Sequence, residues 1–250
     1  MQISHILFTR FNIQYEADES IGIQSTWLEN RLLLFEKYCL PSVQKQTSKN
    51  FTWILLGDIR TPEKYKMRIE NYRSIVPQIR TYWVSYQTDG YHTVYKEIGQ
   101  EFANDKNILI STRLDNDDAL SADYMEQIQK IAENGTDGII TFPLGKQTFA
   151  TENKSVPVRY VQNHFLSRIE NSHFETIMVF DHSLLETTAL LHIETKQPMW
   201  EEIVHGGNIH NDFEPKYQYF IHDVTDLAFI LKQWLLFIAK RISLIVRKHK

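Results

Sequence analysis

The apolar positions change their spacing several times over the first 143 residues, and each change marks an element. Ile3–Thr9 alternates apolar and polar side chains and predicts a first strand. A polar loop through Asp18, Glu19 and Ser20 follows. Leu28, Leu32, Phe35 and Cys39 then recur at helical spacing, so a helix is expected from Trp27 to Tyr38, with a short further turn restarting at Pro41 and Ser42. Phe51–Gly57 is almost continuously apolar, the pattern of a strand covered on both faces. Thr61-Pro62-Glu63 reads as a helix start, with Thr61 as cap and Pro62 in the first turn. Strands are predicted at Ile79–Tyr86, Ile108–Leu114 and Gly138–Pro143. Helices are predicted over His92–Asn104 and Ala122–Asn134.

Strand and helix thus alternate through residue 143. The expected fold class is α/β, a Rossmann-like, mostly parallel sheet with helices on both faces. Sites in such sheets lie beyond the carboxyl ends of the strands. Residues 144–212 are less regular, with strand-like runs at Thr176–Phe180 and Leu190–Ile193. We read residues 1–226 as one domain, with a ligand-binding half to residue 143 and a second half after it. Residues 227–250 form a separate segment. No Gly-x-Gly-x-x-Gly and no Gly-x-x-x-x-Gly-Lys-Ser/Thr follows any strand, which argues against a dehydrogenase or a P-loop enzyme.

With 250 residues and 42% hydrophobic content, the chain can bury one large core. Its one cysteine, Cys39, lies in an apolar helical stripe and suits a reducing cytoplasm. The first residues start a strand at once and lack the pattern of a secretory leader, so a cytoplasmic location is expected.

The net charge of −4 conceals an asymmetry. Residues 1–226 carry all 31 acidic side chains and 21 of the 27 basic ones, whereas Lys232, Lys240, Arg241, Arg247, Lys248 and Lys250 follow with no acid. An acidic body argues against nucleic acid as a partner. In the tail, Leu227, Leu231, Trp234, Leu235, Ile238, Ile242, Ile245 and Val246 share one face at 100° per residue. The expected element is a basic amphipathic helix lying on an anionic membrane surface, at the inner face of the cell membrane. Lys232, Lys240 and Arg241 interrupt the apolar run, so a spanning helix is disfavoured. Packing of this face on the protein itself or on a second subunit is the alternative.

The densest chemistry is at Ser111–Leu120, read Ser-Thr-Arg-Leu-Asp-Asn-Asp-Asp-Ala-Leu. Asp115, Asp117 and Asp118 fall within four positions at a predicted strand end, with Arg113 just before them. Like charges packed there oppose folding unless a cation neutralises them. Mg²⁺ or Mn²⁺ would do so, since hard ions prefer oxygen ligands and are held by one or two carboxylates plus substrate phosphates. The bland alternative is a solvated acidic turn capping the next helix.

Arg113-Leu114-Asp115-Asn116-Asp117-Asp118-Ala119-Leu120 resembles the metal-binding signature of the family named putative rhamnosyltransferase, a branch of the GT-A glycosyltransferases. Weaker matches follow in the same order: Thr9-Arg10-Phe11-Asn12, Arg31, Phe35, Leu40-Pro41-Ser42-Val43, Gln46, Phe51-Thr52-Trp53-Ile54-Leu55, Asp58, Thr61-Pro62, Trp200, Val204-His205-Gly206 and Asn208. The resemblance spans roughly residues 3–212.

It implies a GT-A-like fold and transfer of a sugar from a nucleotide diphosphate donor to a hydroxyl of a cell-surface glycan or lipid-linked acceptor, with a divalent metal. On that reading Asp117 coordinates the metal, Asp115 orients the ribose or approaches the metal through water, and Asp118 fixes their geometry. Asn116 falls in the donor set. Arg113 either grips the diphosphate or bridges to its neighbouring carboxylates. His205, before two glycines, is a further metal or diphosphate contact. Thr9, Arg10 and Asn12 fall where GT-A folds bind base and ribose, and Asp58 is a partner for a base edge. An inverting transfer also needs a base. Glu202 is favoured, with Glu201, Glu170 and Asp212 as the other candidates. The competing function is a non-catalytic GT-A-like domain that tethers partners at the membrane. A nucleotidyltransferase is disfavoured because the first strand lacks a glycine-rich phosphate loop.

Overall fold

The computed structural model describes residues 2–14, 16–103, 107–180, 185–205 and 213–248, with backbone only at 107 and 244–248. In chain order the regular elements are β1 (Gln2–Arg10), α1 (Ser25–Leu34), α2 (Leu40–Gln44), β2 (Thr52–Asp58), α3 (Glu63–Asn71), β3 (Ile79–Val84), α4 (His92–Phe102), β4 (Asn107–Arg113), β5 (Ala119–Leu120), α5 (Tyr124–Glu133), β6 (Gly138–Thr141), β7 (Leu144–Phe149), β8 (Lys154–Arg159), β9 (Leu166–Glu170), β10 (Leu190–His192), β11 (Trp200–Val204), β12 (Gln218–Tyr219) and α6 (Val224–Lys248).

The main sheet has seven strands in the order β10-β6-β9-β4-β1-β2-β3. Every pairing in it is parallel except the two made by β9. Alternate side chains of a strand face opposite layers, and here both layers are apolar. Leu7, Trp53, Leu55 and Ile110 pack beneath α1, α2, α3 and α5. Ile6, Phe8, Ile54, Leu56 and Leu109 meet α4 on the other face. The α/β architecture expected from the alternation, a mostly parallel sheet with helices on both faces, is the one observed.

Between α1 and α2 the helix widens into a π turn at Phe35–Cys39, where the Leu40 N–H bonds back to the Phe35 carbonyl. Pro41 lacks an N–H and would break a regular helix here, and the wider turn lets the chain continue past it. The stripe Leu28, Leu32, Phe35 and Cys39 therefore stays on the core, which turns Arg31 toward the carboxyl end of the sheet.

Three local expectations are corrected. Thr61 does not cap α3 with its side chain; Pro62 holds the cap position and the Thr61 hydroxyl accepts a hydrogen bond from Asn12 Nδ2 at 2.8 Å. The strand expected at Thr176–Phe180 is a 3₁₀ turn at Ile177–Val179. Residues 144–204 are more regular than their pattern suggests, because β7, β8 and β11 join β12 and β5 in a second sheet, ordered β12-β8-β7-β11-β5. The interior of that sheet holds buried Gln147 and Glu202, which breaks the apolar alternation that reveals a strand.

The tail is a helix, as expected. Its contacts with the body run through Phe229 against Phe149, Gln233 with Glu152, and Phe237 against Phe213.

Candidate active site

The aspartates form the turn between β4 and β5. The Leu114 N–H continues the ladder to Phe8 O at 2.9 Å, and the Asp118 N–H closes the turn onto Asp115 O at 3.3 Å. Asn116 donates to Phe11 O at 2.5 Å and so pins the turn to the end of β1. Strand β11 pairs antiparallel with β5, Trp200 opposite Leu120 and Glu201 opposite Ala119. Continuing along β11 therefore carries Glu202, Ile203 and His205 past the aspartates. Gly145 makes room for this strand, since a Cβ there would lie 2.1 Å from the Trp200 ring. Trp200 in turn stacks on Phe165 at 4.9 Å, next to His164.

Each carboxylate has its own partners. Asp117 accepts from Arg31 Nη1 at 2.5 Å and lies 3.0 Å from His205 Nε2. The Arg31 guanidinium also reaches Asn116 Oδ1 at 3.1 Å and lies over the Trp27 ring. Asp118 is fully buried, accepts the Ile203 N–H at 2.8 Å and lies 2.8 Å from His164 Nε2. Asp115 faces Arg10 at 3.5 Å and Arg113 at 3.4 Å.

The titration of these groups follows from burial and crowding. Burial, with Asp117 and Asp115 beside it, drives the Asp118 carboxyl well above the usual carboxylate range. Burial acts upward on Asp115 too, but Arg113 and Arg10 outweigh it and hold that carboxyl well below the range. His164 is lowered, mainly by burial. The donor chemistry of this cluster fits a divalent cation. Asp115, Asp118 and His164 each bring a ligand atom within 4.8 Å of the others, and Asp117 and His205 form a second carboxylate–imidazole pair beside them. The carboxylate oxygens suit Mn²⁺ or Mg²⁺.

Glu202 is buried one strand away. It accepts from Gln147 Nε2 at 3.0 Å, bonds to Tyr217, and is pushed up to about 7 by burial, with His164 acting against the rise and Asp118 adding to it. Glu201 points to the opposite face of β11, where Lys146 at 2.8 Å and Thr148 at 2.6 Å engage it. Glu170 lies at the other end of the sheet, paired with Leu109 at the start of β4, and accepts the N–H groups of Glu175 and Thr176. Asp212, Gly206 and Asn208 lie outside the described residues.

The first-strand candidates separate. Arg10 reaches the aspartates. Thr9 is buried in the core and accepts from Trp53 Nε1 at 2.9 Å. Asn12 ties strand ends together, donating to Thr61 and to Gly22 O while accepting the Asp58 N–H. Asp58 is buried and held by the Arg60 guanidinium and backbone. His164 carried no signal in the sequence, because a lone histidine has no spacing to its partner 46 positions away. Arg31 was visible only as one of the weak matches.

The family model described as "Putative rhamnosyl transferase" matches residues 7–217, from within β1 to beyond β11. The chain belongs to this family. The match covers both the aspartate turn and His205. No curated protein matches it in sequence. Among solved structures it is similar to S. aureus TarS residues 1–349 in complex with UDP-GlcNAc, with a TM-score of 0.47 and 11% identity over 83% of this chain and 60% of that one. Similarity to the longer TarS structure has a TM-score of 0.45 and 10% identity, over 82% of this chain and 37% of that one. The chain therefore spans less than two thirds of either TarS chain. A 4-diphosphocytidyl-2C-methyl-D-erythritol synthase gives a TM-score of 0.30 and 12% identity over 59% of this chain and 64% of that one.

Proposed function

We propose that this family member is a metal-dependent, inverting glycosyltransferase. It moves a sugar, rhamnose in the family's own name, from a nucleotide diphosphate to a hydroxyl of a cell-surface glycan or lipid-linked acceptor at the cytoplasmic face of the membrane. The observation that carries the reading is the gathering of Asp115, Asp117 and Asp118 with two histidines and three arginines at the carboxyl end of the sheet.

Asp115, Asp117 and His205 hold the cation on this reading. Access supports the choice: the Asp117 and His205 side chains are 8% and 12% exposed against 0% and 10% for Asp118 and His164, and an ion shared with a diphosphate would have to face the donor. Bound there, Mn²⁺ or Mg²⁺ supplies charge that stabilises the leaving diphosphate. Asp118 and His164 form a buried pair that fixes the turn. Arg113 and Arg10 keep Asp115 ionised and border the space for phosphate. Glu202, near neutral in its affinity for protons, takes the acceptor proton. The hydroxyl then attacks the face opposite the departing diphosphate, which inverts the anomeric centre.

The test is a panel of nucleotide sugars with and without Mn²⁺, reading diphosphate release and the anomeric configuration of the product. Metal-stimulated release from at least one donor, with inversion, is expected. Turnover that chelator leaves unchanged, or a retained configuration, refutes the corresponding part of the proposal.

A further inference from the structure

Helix α6 is apolar on two opposite sides, and among the described residues the body meets one of them. Phe229, Gln233 and Phe237, spaced by four, face the protein and meet Phe149, Glu152 and Phe213. Lys154 adds an ion pair to Asp226 at the start of the helix. At 100° per residue, Leu227, Leu231, Trp234, Leu235, Ile238 and Ile242 form a second stripe on the far side of the helix. All but Ile238 are exposed, Leu235 to 63% and Ile242 to 56%. Arg241 borders this stripe on one side and Lys232 on the other.

We infer that α6 is a two-sided seat, holding the catalytic body on one face while the other lies in the headgroup region of an anionic lipid surface. Charge selects this occupant over a second copy of the chain. After Asp226 the helix carries basic residues and no acid, so a copy packed helix to helix on the same stripe would bring Lys232 and Arg241 of both copies together with no acid of either helix between them. Anionic headgroups provide that neutralisation, each basic side chain near the surface contributing about 1 kcal/mol. The apolar stripe between the flanks supplies the burial term. Among the described residues no helix is long and apolar enough to cross a membrane, so the helix lies in the surface plane. Because the two stripes are opposed, lipid binding does not require α6 to leave the body. The inference concerns binding alone and stands or falls apart from the sugar-transfer reading.

Co-sedimentation of the full chain with vesicles tests it, comparing equal parts phosphatidylglycerol and phosphatidylcholine with phosphatidylcholine alone at physiological ionic strength. Binding to the anionic vesicles is expected to exceed that to the neutral ones by about tenfold or more. Leu231→Ser with Leu235→Ser is expected to lower anionic binding by about tenfold while the melting curve stays unchanged. Hydrogen exchange on the bound protein is expected to leave the 149–154 hairpin as protected as in solution. Three results overturn the inference: equal binding to both vesicles, unaltered binding by the serine variant, or a solution dimer that this variant dissociates. Loss of hairpin protection on vesicles overturns the two-sided seat, since α6 would then have peeled away.

Discussion

Arg31 on α1 donates to the Asp117 carboxylate at 2.5 Å across 86 positions of chain, and both side chains are about nine-tenths buried. A buried pair broken from one side leaves an uncompensated charge, which costs roughly 3–5 kcal/mol. Here that charge would stand beside two further carboxylates. Arg31→Ala is therefore expected to destabilise the metal-free protein by about 3 kcal/mol in urea unfolding, with Mn²⁺ restoring part of the loss by supplying the missing cation. Arg31→Lys is expected to retain most of the stability. An Arg31→Ala protein as stable as wild type would mean that the Arg31–Asp117 pair contributes nothing to the fold.

The two histidines divide the possible metal positions. If the ion faces the donor through Asp115, Asp117 and His205, then His205→Ala is expected to raise the Mn²⁺ midpoint of activity about tenfold or more. His164→Ala is expected to lower stability more than metal affinity, because His164 lies against the fully buried Asp118. The reverse pattern in Mn²⁺ titrations would move the ion to Asp115, Asp118 and His164.

How far the sequence speaks depends on how each residue finds its partners. Strand β2 was legible because burial on both faces demands a near-continuous apolar run, here Trp53-Ile54-Leu55-Leu56, and β1 was legible from its alternation. The aspartate turn was legible because three like charges at a strand end call for a cation. The second sheet was not, since its interior holds Gln147 and Glu202 rather than alternating apolar residues. Thr9 and Asn12 sit at the strand end where ligand contacts were expected, yet their side chains are consumed by Trp53 and Thr61. Strand position can be read from a pattern; the direction in which a polar side chain is spent depends on the neighbouring strand.

His5 offers a stability test away from the site. Its ring lies 2.8 Å from the Thr112 hydroxyl and 3.2 Å from Gln129 Nε2, and burial drives it down from 6.5 to about 3. The native state therefore holds this imidazole neutral, while the unfolded chain protonates it near 6.5. Its contribution is fully present above pH 6.5 and is lost as pH falls toward 3. Within that window this one group adds a slope of about 1.4 kcal/mol per pH unit. His5→Gln is expected to be less stable at neutral pH and to lose that slope between pH 6 and 4.5 (roughly the range below the usual histidine value and above the usual carboxylates). An unchanged slope in urea denaturation would show that His5 is protonated in the folded protein.

Glu202 joins stability to the reaction. Burial raises its carboxyl from 4.5 to about 7, so the folded protein keeps a proton that the unfolded chain has already released. A raised acid works against the fold as pH climbs: there is no penalty below 4.5, and the full one is reached above 7. A displacement of this size corresponds to at most about 3 kcal/mol. Glu202→Gln keeps the shape and removes the ionisation. The variant is expected to match wild type near pH 4.5 and to exceed it in stability at pH 8. Its activity should move the other way. If Glu202 takes the acceptor proton, wild-type kcat/KM rises with pH through a midpoint near 7, and the glutamine variant loses both that limb and about two or more orders of magnitude in rate. Paired pH profiles of kcat/KM and urea midpoint separate the roles. A variant that gains stability at pH 8 but keeps the wild-type pH–rate limb would leave Glu202 as a buried structural acid and pass the base to another group.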